Sequence, residues 1–396
     1  MSQTLQETTA APANPQALNQ SIGYFATFIG LGMTAASLGP TLPGLAKNTS
    51  SDIAQISFLF TARSFGYLLG SLRGGRAFDR LPGQPLMAGL LLCMAGMMAL
   101  VPFARWLWLL TALLFILGLA EGAIDVGGNT LLVWVHRQRV GPFMNALHFF
   151  FGIGAFLAPV VVALVLQRTS NIDWVYWLLA FYMLPVIVWL LRLPSPSALV
   201  ANRASQNASV NLTLVKLIVL FFILYVGAEA SFGGWIFTYA TDLNLAGPVV
   251  AAYLTSIFWG VFTLGRLVSI PLSTRVSPQA MLTGDLVGSL ASMAFILLVP
   301  ETLLTLGLGA AGLGFSLASM FPSMLIYAGK QMPISGKVNG YFLVGAGAGA
   351  MFLPWLIGQL FGRLGPALVM WVIFIDLAAL AITFAVILIY QRRSVR

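Results

Sequence analysis

Long apolar runs follow one another from Ser21 to the last residues of the chain, each closed by a short cluster of polar, basic, glycine or proline positions. Crossing a hydrocarbon layer of about 30 Å takes about 20 mostly apolar residues in a helix. The pattern predicts twelve such helices, the first six at 21–46, 53–74, 86–103, 106–135, 140–166 and 173–193. The second six fall at 213–240, 248–273, 279–299, 302–328, 336–360 and 366–391. Between the sets, 194–212 is a polar stretch with Pro194, Ser195, Pro196, Asn202, Arg203 and Asn207 that reads as a linker. The expected organisation is a tail (1–20), a six-helix half (21–193), the linker (194–212), a second six-helix half (213–391) and a short C-terminal tail (392–396).

The two sets repeat. A constant shift of 195 residues pairs Gly32 with Gly227, Gly39 with Gly234, Gly70 with Gly265, Gly154 with Gly349 and Pro159 with Pro354. One offset serves the first, second and fifth spans of each set, including Gly154 to Pro159 against Gly349 to Pro354.

Composition agrees with the pattern: 8% of residues are charged, 59% are hydrophobic, and mean hydropathy is +0.92. A soluble domain carries roughly 25% charged residues, so no water-soluble core absorbs this excess of apolar surface. The first twenty residues hold no Lys or Arg and no apolar run, which excludes a cleavable signal peptide there and predicts a disordered tail. Cys93 is the single cysteine, so no intrachain disulfide or thiolate metal cluster is available. The net charge of +9 comes from residues scattered over short loops, which gives topology and no nucleic-acid face. With the N-terminus inside, the inner loops, span ends and tail collect fifteen Lys and Arg, against Lys47, Arg105, Arg168 and Arg363 outside and Arg63 within a span. That bias predicts cytoplasmic termini.

Ionisable side chains at membrane depth are costly and mark pathways or sites. Glu121, Asp125 and Asn129 stand at i, i+4 and i+8 of the fourth span, on one helix face. Two carboxylates one turn apart repel in low dielectric, which favours a proton or a cation between them; sodium would take their oxygens and the Asn129 amide oxygen. Glu229 lies among glycines of the seventh span, near Trp235 and Tyr239, and is a candidate solute ligand. Arg63, in the second span, can pair with one of these acids or meet the solute directly; a structural ion pair is equally open. His148 is a packing donor or a proton relay. Trp235, Tyr239, Trp259, Trp355 and Gln359 can supply aromatic faces and polar groups to a polyol. Asp376 and Asp285 read as structural, the latter beside Arg275.

Gly75-Arg76-Ala77-Phe78-Asp79-Arg80-Leu81-Pro82-Gly83-Gln84 resembles the loop signature of major facilitator transporters, with one residue inserted before Gly83 and Gln84 in place of a basic residue. The resemblance covers nearly the whole chain and implies an all-α membrane fold of twelve helices in two six-helix halves, with Asp79, Arg80, Arg76 and, in the second half, Arg266 as gating residues. Three stretches look like the branch of fucose permeases and sodium-dependent glucose transporters: Asp125 to Asn129 with Leu147 to Phe156, Gly227 to Trp235, and Phe258 to Arg266. That resemblance implies a sugar or other polyol moved with a cation, sodium or proton. Fucose permeases have an acid in the first span, and none occurs between Ser21 and Lys47 here, so the combination leans to sodium.

No nucleophile and base pair, phosphate loop or metal-ligand spacing occurs, so neither an enzyme nor an ATP-driven pump is expected. Drug/proton antiport and a non-transporting nutrient sensor remain as alternatives. The expected partners are a small solute and the lipid bilayer, with no cofactor beyond the coupling ion. The chain is expected as a monomer in a plasma membrane, the inner membrane in a bacterium.

Overall fold

Each expected span is helical in the computed structural model, which describes residues 15–196, 211–299, 302–332 and 336–394. The first half contains α1 (Pro15–Asn48), α2 (Ile53–Ile56), α3 (Phe58–Phe78), α4 (Gly83–Leu100), α5 (Leu107–His136), α6 (Val140–Thr169) and α7 (Asp173–Leu191). The second contains α8 (Leu212–Asp242), α9 (Pro248–Ser273), α10 (Pro278–Leu298), α11 (Leu303–Leu317), α12 (Met320–Gln331), α13 (Gly336–Leu364) and α14 (Leu368–Ser394). Two spans are broken: α2 and α3 meet at Ser57, and α11 and α12 at Ala318 and Ser319, so these helices make twelve spans. Among the described residues, eleven spans are long and apolar enough to cross a membrane on length and composition alone. The other is α3, whose apolar character is diluted by Arg63, Arg73 and Arg76.

The expected boundaries shift at the ends. Helix α1 begins at Pro15, so 15–20 belong to the first span and not to the tail, while 1–14 lie outside the described residues. Most of the expected linker, 197–210, also lies outside them. Its first residues are fastened to the first half: the Gln20 amide donates to the Pro194 carbonyl at 2.7 Å, and the Gln84 backbone N–H donates to the Ser195 hydroxyl at 3.2 Å. Helix α14 continues to Ser394, past the expected end at 391, and 395–396 are outside the described residues.

Without a hydrophobic drive between helices in lipid, close backbone approach at small residues holds spans together. The repeat is built on it. A methyl group added at Gly154 would lie 2.0 Å from the Ile29 carbonyl oxygen, binding α6 to α1; at Gly349 it would lie 2.0 Å from that of Ile223, binding α13 to α8. The same correspondence joins α3 to α5 through Gly70 and α9 to α11 through Gly265.

The halves meet most tightly at the end where α1 finishes and α3 begins. There the repeat-related Gly39 and Gly234 touch, a Cβ on the first falling 2.9 Å from the Cα of the second. Pro354 removes the helical donor to the Ala350 carbonyl, and Ser64 of the other half donates to that oxygen at 3.3 Å. Thr61 donates to the Met351 carbonyl at 3.3 Å, and Gln359 donates to the Ala54 carbonyl at 2.8 Å and the Ser57 hydroxyl at 3.1 Å. Gln359 thus satisfies backbone freed by the break between α2 and α3. At the opposite end, where α1 and α8 begin, no hydrogen bond, ion pair or ring contact joins described residues of the two halves, and no substantial packing joins α5 to α12. Among the described residues, then, the halves are bonded together at one end and not at the other.

Candidate functional site

Glycines set the register of the first half's polar ladder. A Cβ on Gly118 would lie 2.1 Å from the Arg63 carbonyl oxygen, and one on Gly122 would lie 2.0 Å from that of Tyr67. This lays α3 against α5 with the side chains of Arg63 and Tyr67 directly over those of Glu121 and Asp125. Arg63 Nε donates to Glu121 Oε2 at 2.8 Å and Nη2 to Oε1 at 2.7 Å, while Nη1 donates to the Ala35 carbonyl at 3.0 Å. The Tyr67 hydroxyl donates to Asp125 Oδ2, and Asn129 Nδ2 donates to Asp125 Oδ1 at 3.1 Å and to its carbonyl at 2.8 Å.

The expectation that Glu121 and Asp125 share a cation is corrected by this geometry. Both Glu121 oxygens are taken by a bidentate guanidinium, and the pair is buried, with side chains 15% and 3% exposed for Arg63 and Glu121, so its charge is already answered. Asp125 is different. It is half-buried, its side chain accepts from the Tyr67 hydroxyl and the Asn129 amide, and it makes no ion pair with a described residue. Asn129 turns its donors to Asp125, which leaves its amide oxygen for another partner. Among the described residues no group of three His, Cys, Asp or Glu gathers as a metal cluster.

The second half presents a different surface. Glu229, half-buried in the middle of α8, makes no ion pair within 4 Å; its polar neighbours are the Tyr225 hydroxyl one turn earlier and the Arg266 guanidinium of α9. The Tyr225 hydroxyl has no hydrogen bond of good geometry, and the indole N–H of Trp259 has none either. The Trp259 ring lies over Gly233, where a Cβ would come within 2.8 Å of it.

Helices α6 and α9 carry the interior from one half to the other. A Cβ on Gly152 would collide with the Thr263 hydroxyl at 2.3 Å, and one on Gly260 with the Phe156 ring at 2.8 Å. Two contacts fix an antiparallel register, in which His148, one turn before Gly152, comes level with Leu267 and Val268, just past Arg266. His148 is half-buried, edge-on to Phe28 with centroids 6.1 Å apart, and lies within electrostatic reach of Asp125 and Arg266. Arg266 stands two turns inside the end of α9, its Cζ 4.5 Å over the Phe262 ring. It is an interior charge and not the helix-end gate expected of it.

Other expected residues belong to the closed end in this conformation. Trp235 is fully buried between Phe60 and Phe361, its indole N–H donating to the Pro354 carbonyl at 3.0 Å. Tyr239 is buried on the same helix. Gln359 spans the halves as described, and Trp355 packs edge-on against Phe58 of the other half, its N–H without a partner. Asp79, Arg76 and Arg80 are exposed at the open end and form no ion pair with a described residue. Asp285 accepts from the Ser319 hydroxyl at the break between α11 and α12, not from Arg275, and Asp376 is buried in α14.

Sequence reasoning missed Tyr67. The signal was present: Tyr67 follows Arg63 by four residues as Asp125 follows Glu121, with glycines in step on both helices. It also missed Ser64 and Thr61, which carry no charge to draw notice.

Residues 21–342 match the family model described as Major Facilitator Superfamily. The sodium-dependent glucose transporter 1 of Homo sapiens is 33% identical over 376 residues, covering 85% of this chain and 73% of that protein. The major facilitator superfamily domain-containing protein 4A of Homo sapiens is 28% identical over 480 residues, covering 95% and 92%. Among solved structures, a mutant of the nucleoside transporter NupG superposes with a TM-score of 0.76 at 16% identity, covering 94% of this chain and 99% of that one. A D-xylose-proton symporter does so with a TM-score of 0.75 at 13% identity, covering 93% and 97%.

Proposed function

The chain belongs to the major facilitator superfamily, a multi-pass membrane transporter of a small solute and not an enzyme, and from that premise we propose that it moves a sugar-like solute together with sodium. The observation that carries this reading is the Asp125 carboxylate, half-buried, held by neutral donors alone, and facing a second half whose interior donors are unpaired. Asp125, with Asn129, is the coupling site; Glu121 takes no part in it, because Arg63 already neutralises its carboxylate. Glu229, Tyr225 and Trp259 bind the solute, a carboxylate and two donors suiting vicinal hydroxyls and the ring an apolar sugar face. His148 and Arg63 border the site.

Transport proceeds by rocking of 21–193 against 213–391 about the linker, with the solute between the halves. Trp235, Tyr239, Trp355 and Gln359 form the closed gate of the present conformation. Asp79, Arg76, Arg80 and their partners lock the other end when it shuts. Both termini face the cytoplasm by the bias of basic residues, which makes the present state inward-open. The membrane is a plasma membrane, the inner membrane in a bacterium, and the working unit is a monomer.

A thermal-shift screen of purified protein with hexoses and pentoses, with and without sodium and across pH, tests the reading, because a ligand of the folded state raises apparent stability. A sugar whose effect grows with sodium is the expected result. Stabilisation that ignores sodium but falls as pH rises through the titration of a carboxyl group makes the ion a proton, with His148 beside Asp125 as its route. Stabilisation by no sugar under any condition overturns the substrate class.

A further inference from the structure

Where α9 turns into α10, a cleft of about 270 Å³ opens between that turn and α12. We infer that it binds a phosphate group, of the kind that an anionic lipid headgroup or a soluble phosphate carries. The site is separate from the interior between the halves and depends on neither the solute nor the coupling ion.

Arg275 and Lys330, both exposed, line the cleft together with the hydroxyls of Ser277 and Ser323. Neither cation makes an ion pair with a described residue, and none of the lining residues is an acid. Ser323 is 3% exposed and its hydroxyl makes no hydrogen bond with a described residue, which leaves a buried donor facing the cleft. Ser277 caps α10 by accepting from the Ala280 N–H at 3.2 Å, so its own proton is free to donate. The start of α10 adds the positive end of a helix dipole. Ser273 and Thr274 contribute no donor, because each already donates to a backbone carbonyl. Asp285 lies one turn deeper than Met281 on α10 and accepts from the Ser319 hydroxyl.

The repeat marks the cleft as particular to the second half. The offset of 195 residues sets Arg275 against Arg80, Thr274 against Asp79, Ser323 against Gly128 and Lys330 against Val135. The second half keeps the arginine, lacks the acid, and adds a hydroxyl and an ammonium. Pro278 and Ile326, which line the cleft, correspond to Gly83 and Leu131. Those two pack together in the first half, a Cβ on Gly83 falling 2.3 Å from the Leu131 side chain, so the matching place is filled. Met281 and Ile326 give the cleft an apolar wall, and it stands where α9 and α10 leave the spans. Headgroup phosphates lie at that level, which makes a lipid the expected source.

The thermal midpoint of the purified full-length chain in detergent tests the site, because a ligand of the folded state raises apparent stability. One arm compares phosphatidylglycerol with phosphatidylcholine, the other inorganic phosphate with chloride at matched ionic strength. Phosphatidylglycerol is expected to raise the midpoint and phosphatidylcholine is not. A rise with inorganic phosphate and none particular to phosphatidylglycerol keeps the site and makes its ligand a soluble phosphate. Arg275→Gln with Lys330→Gln alters only exposed positions and is expected to weaken binding about a hundredfold, roughly tenfold for each charge-assisted bond. Ser323→Ala is expected to weaken it several-fold. Arg139→Gln, which removes an exposed charge from the first half, is expected to leave it unchanged. No rise in either arm, a rise that persists in the Arg275 and Lys330 double variant, or an equal loss in Arg139→Gln overturns the inference.

Discussion

The two halves share a backbone plan and differ in how they treat their polar groups. In the first half the buried groups are paired: Arg63 with Glu121, Tyr67 and Asn129 with Asp125, Gln84 with Tyr24 at 2.7 Å, and Thr41 with Tyr176 at 2.7 Å. In the second half Ser231, Thr238, Ser256, Trp259 and Trp355 all hold a buried polar atom without a partner. Among the described residues, Gln84 contributes the first half's single unpartnered atom. A buried polar group left unmade costs about 1–3 kcal/mol, so the second half carries a cost that the first half largely avoids. Repeat symmetry therefore preserves the close helix contacts and lets the polar chemistry diverge, which on the proposed reading serves an ion in one half and a solute in the other.

The largest expected effect contrasts the two glutamates. Glu121→Gln leaves a buried guanidinium unanswered and is expected to cost about 3–5 kcal/mol, read as a large drop in the thermal midpoint. Glu229→Gln, in the half without finished pairs, is expected to change stability by less than about 1 kcal/mol while weakening sugar binding. Equal destabilisation by the two substitutions breaks the comparison.

Next comes a pair of substitutions in the shared backbone plan. Gly154→Ala and Gly349→Ala each place a methyl 2.0 Å from a carbonyl oxygen of the facing helix, and each is expected to cost about 1–3 kcal/mol. Similar losses in chemical denaturation support the symmetry; a cost confined to one half contradicts it.

A smaller effect is expected at the closed end. Gln359→Leu removes two hydrogen bonds between halves, about 1 kcal/mol each, and should raise the population open at that end by roughly tenfold or more. Spin-label distances across that end measure the shift, and an unchanged distribution removes Gln359 from the gate.

The smallest effect sharpens the picture of the solute half. Trp259→Phe keeps an aromatic ring and deletes an unpartnered donor, so stability should hold and sugar affinity fall several-fold, the worth of one hydrogen bond at about 1 kcal/mol. Undiminished affinity takes the Trp259 N–H out of the site.

The spans were legible because apolar length alone decides what crosses a bilayer, and even α3, with its arginines, stood out between turn signals. The breaks at Ser57 and Ser319 were not, since they depend on partners from other helices. The Glu121, Asp125 and Asn129 stripe was legible as a helix face. Its division into a neutralised pair and a free carboxylate was not, because that turns on the register of α3 against α5, set by Gly118 and Gly122. Trp235, Tyr239 and Gln359 were read as solute ligands from residue type; their burial depends on which end of the molecule is closed.

The central claim, an ion half and a solute half coupled through the interior, is tested most directly by measuring reciprocal linkage in the intact protein. The measurement is the affinity for a sugar identified in the thermal-shift screen, with and without sodium, in the unmodified chain and in Asp125→Asn. Linked binding must be mutual, so sodium should tighten the sugar in the unmodified protein, and Asp125→Asn should abolish that dependence while still binding the sugar. Sodium dependence that survives in Asp125→Asn, or sugar binding that vanishes with it at every sodium concentration, contradicts the account.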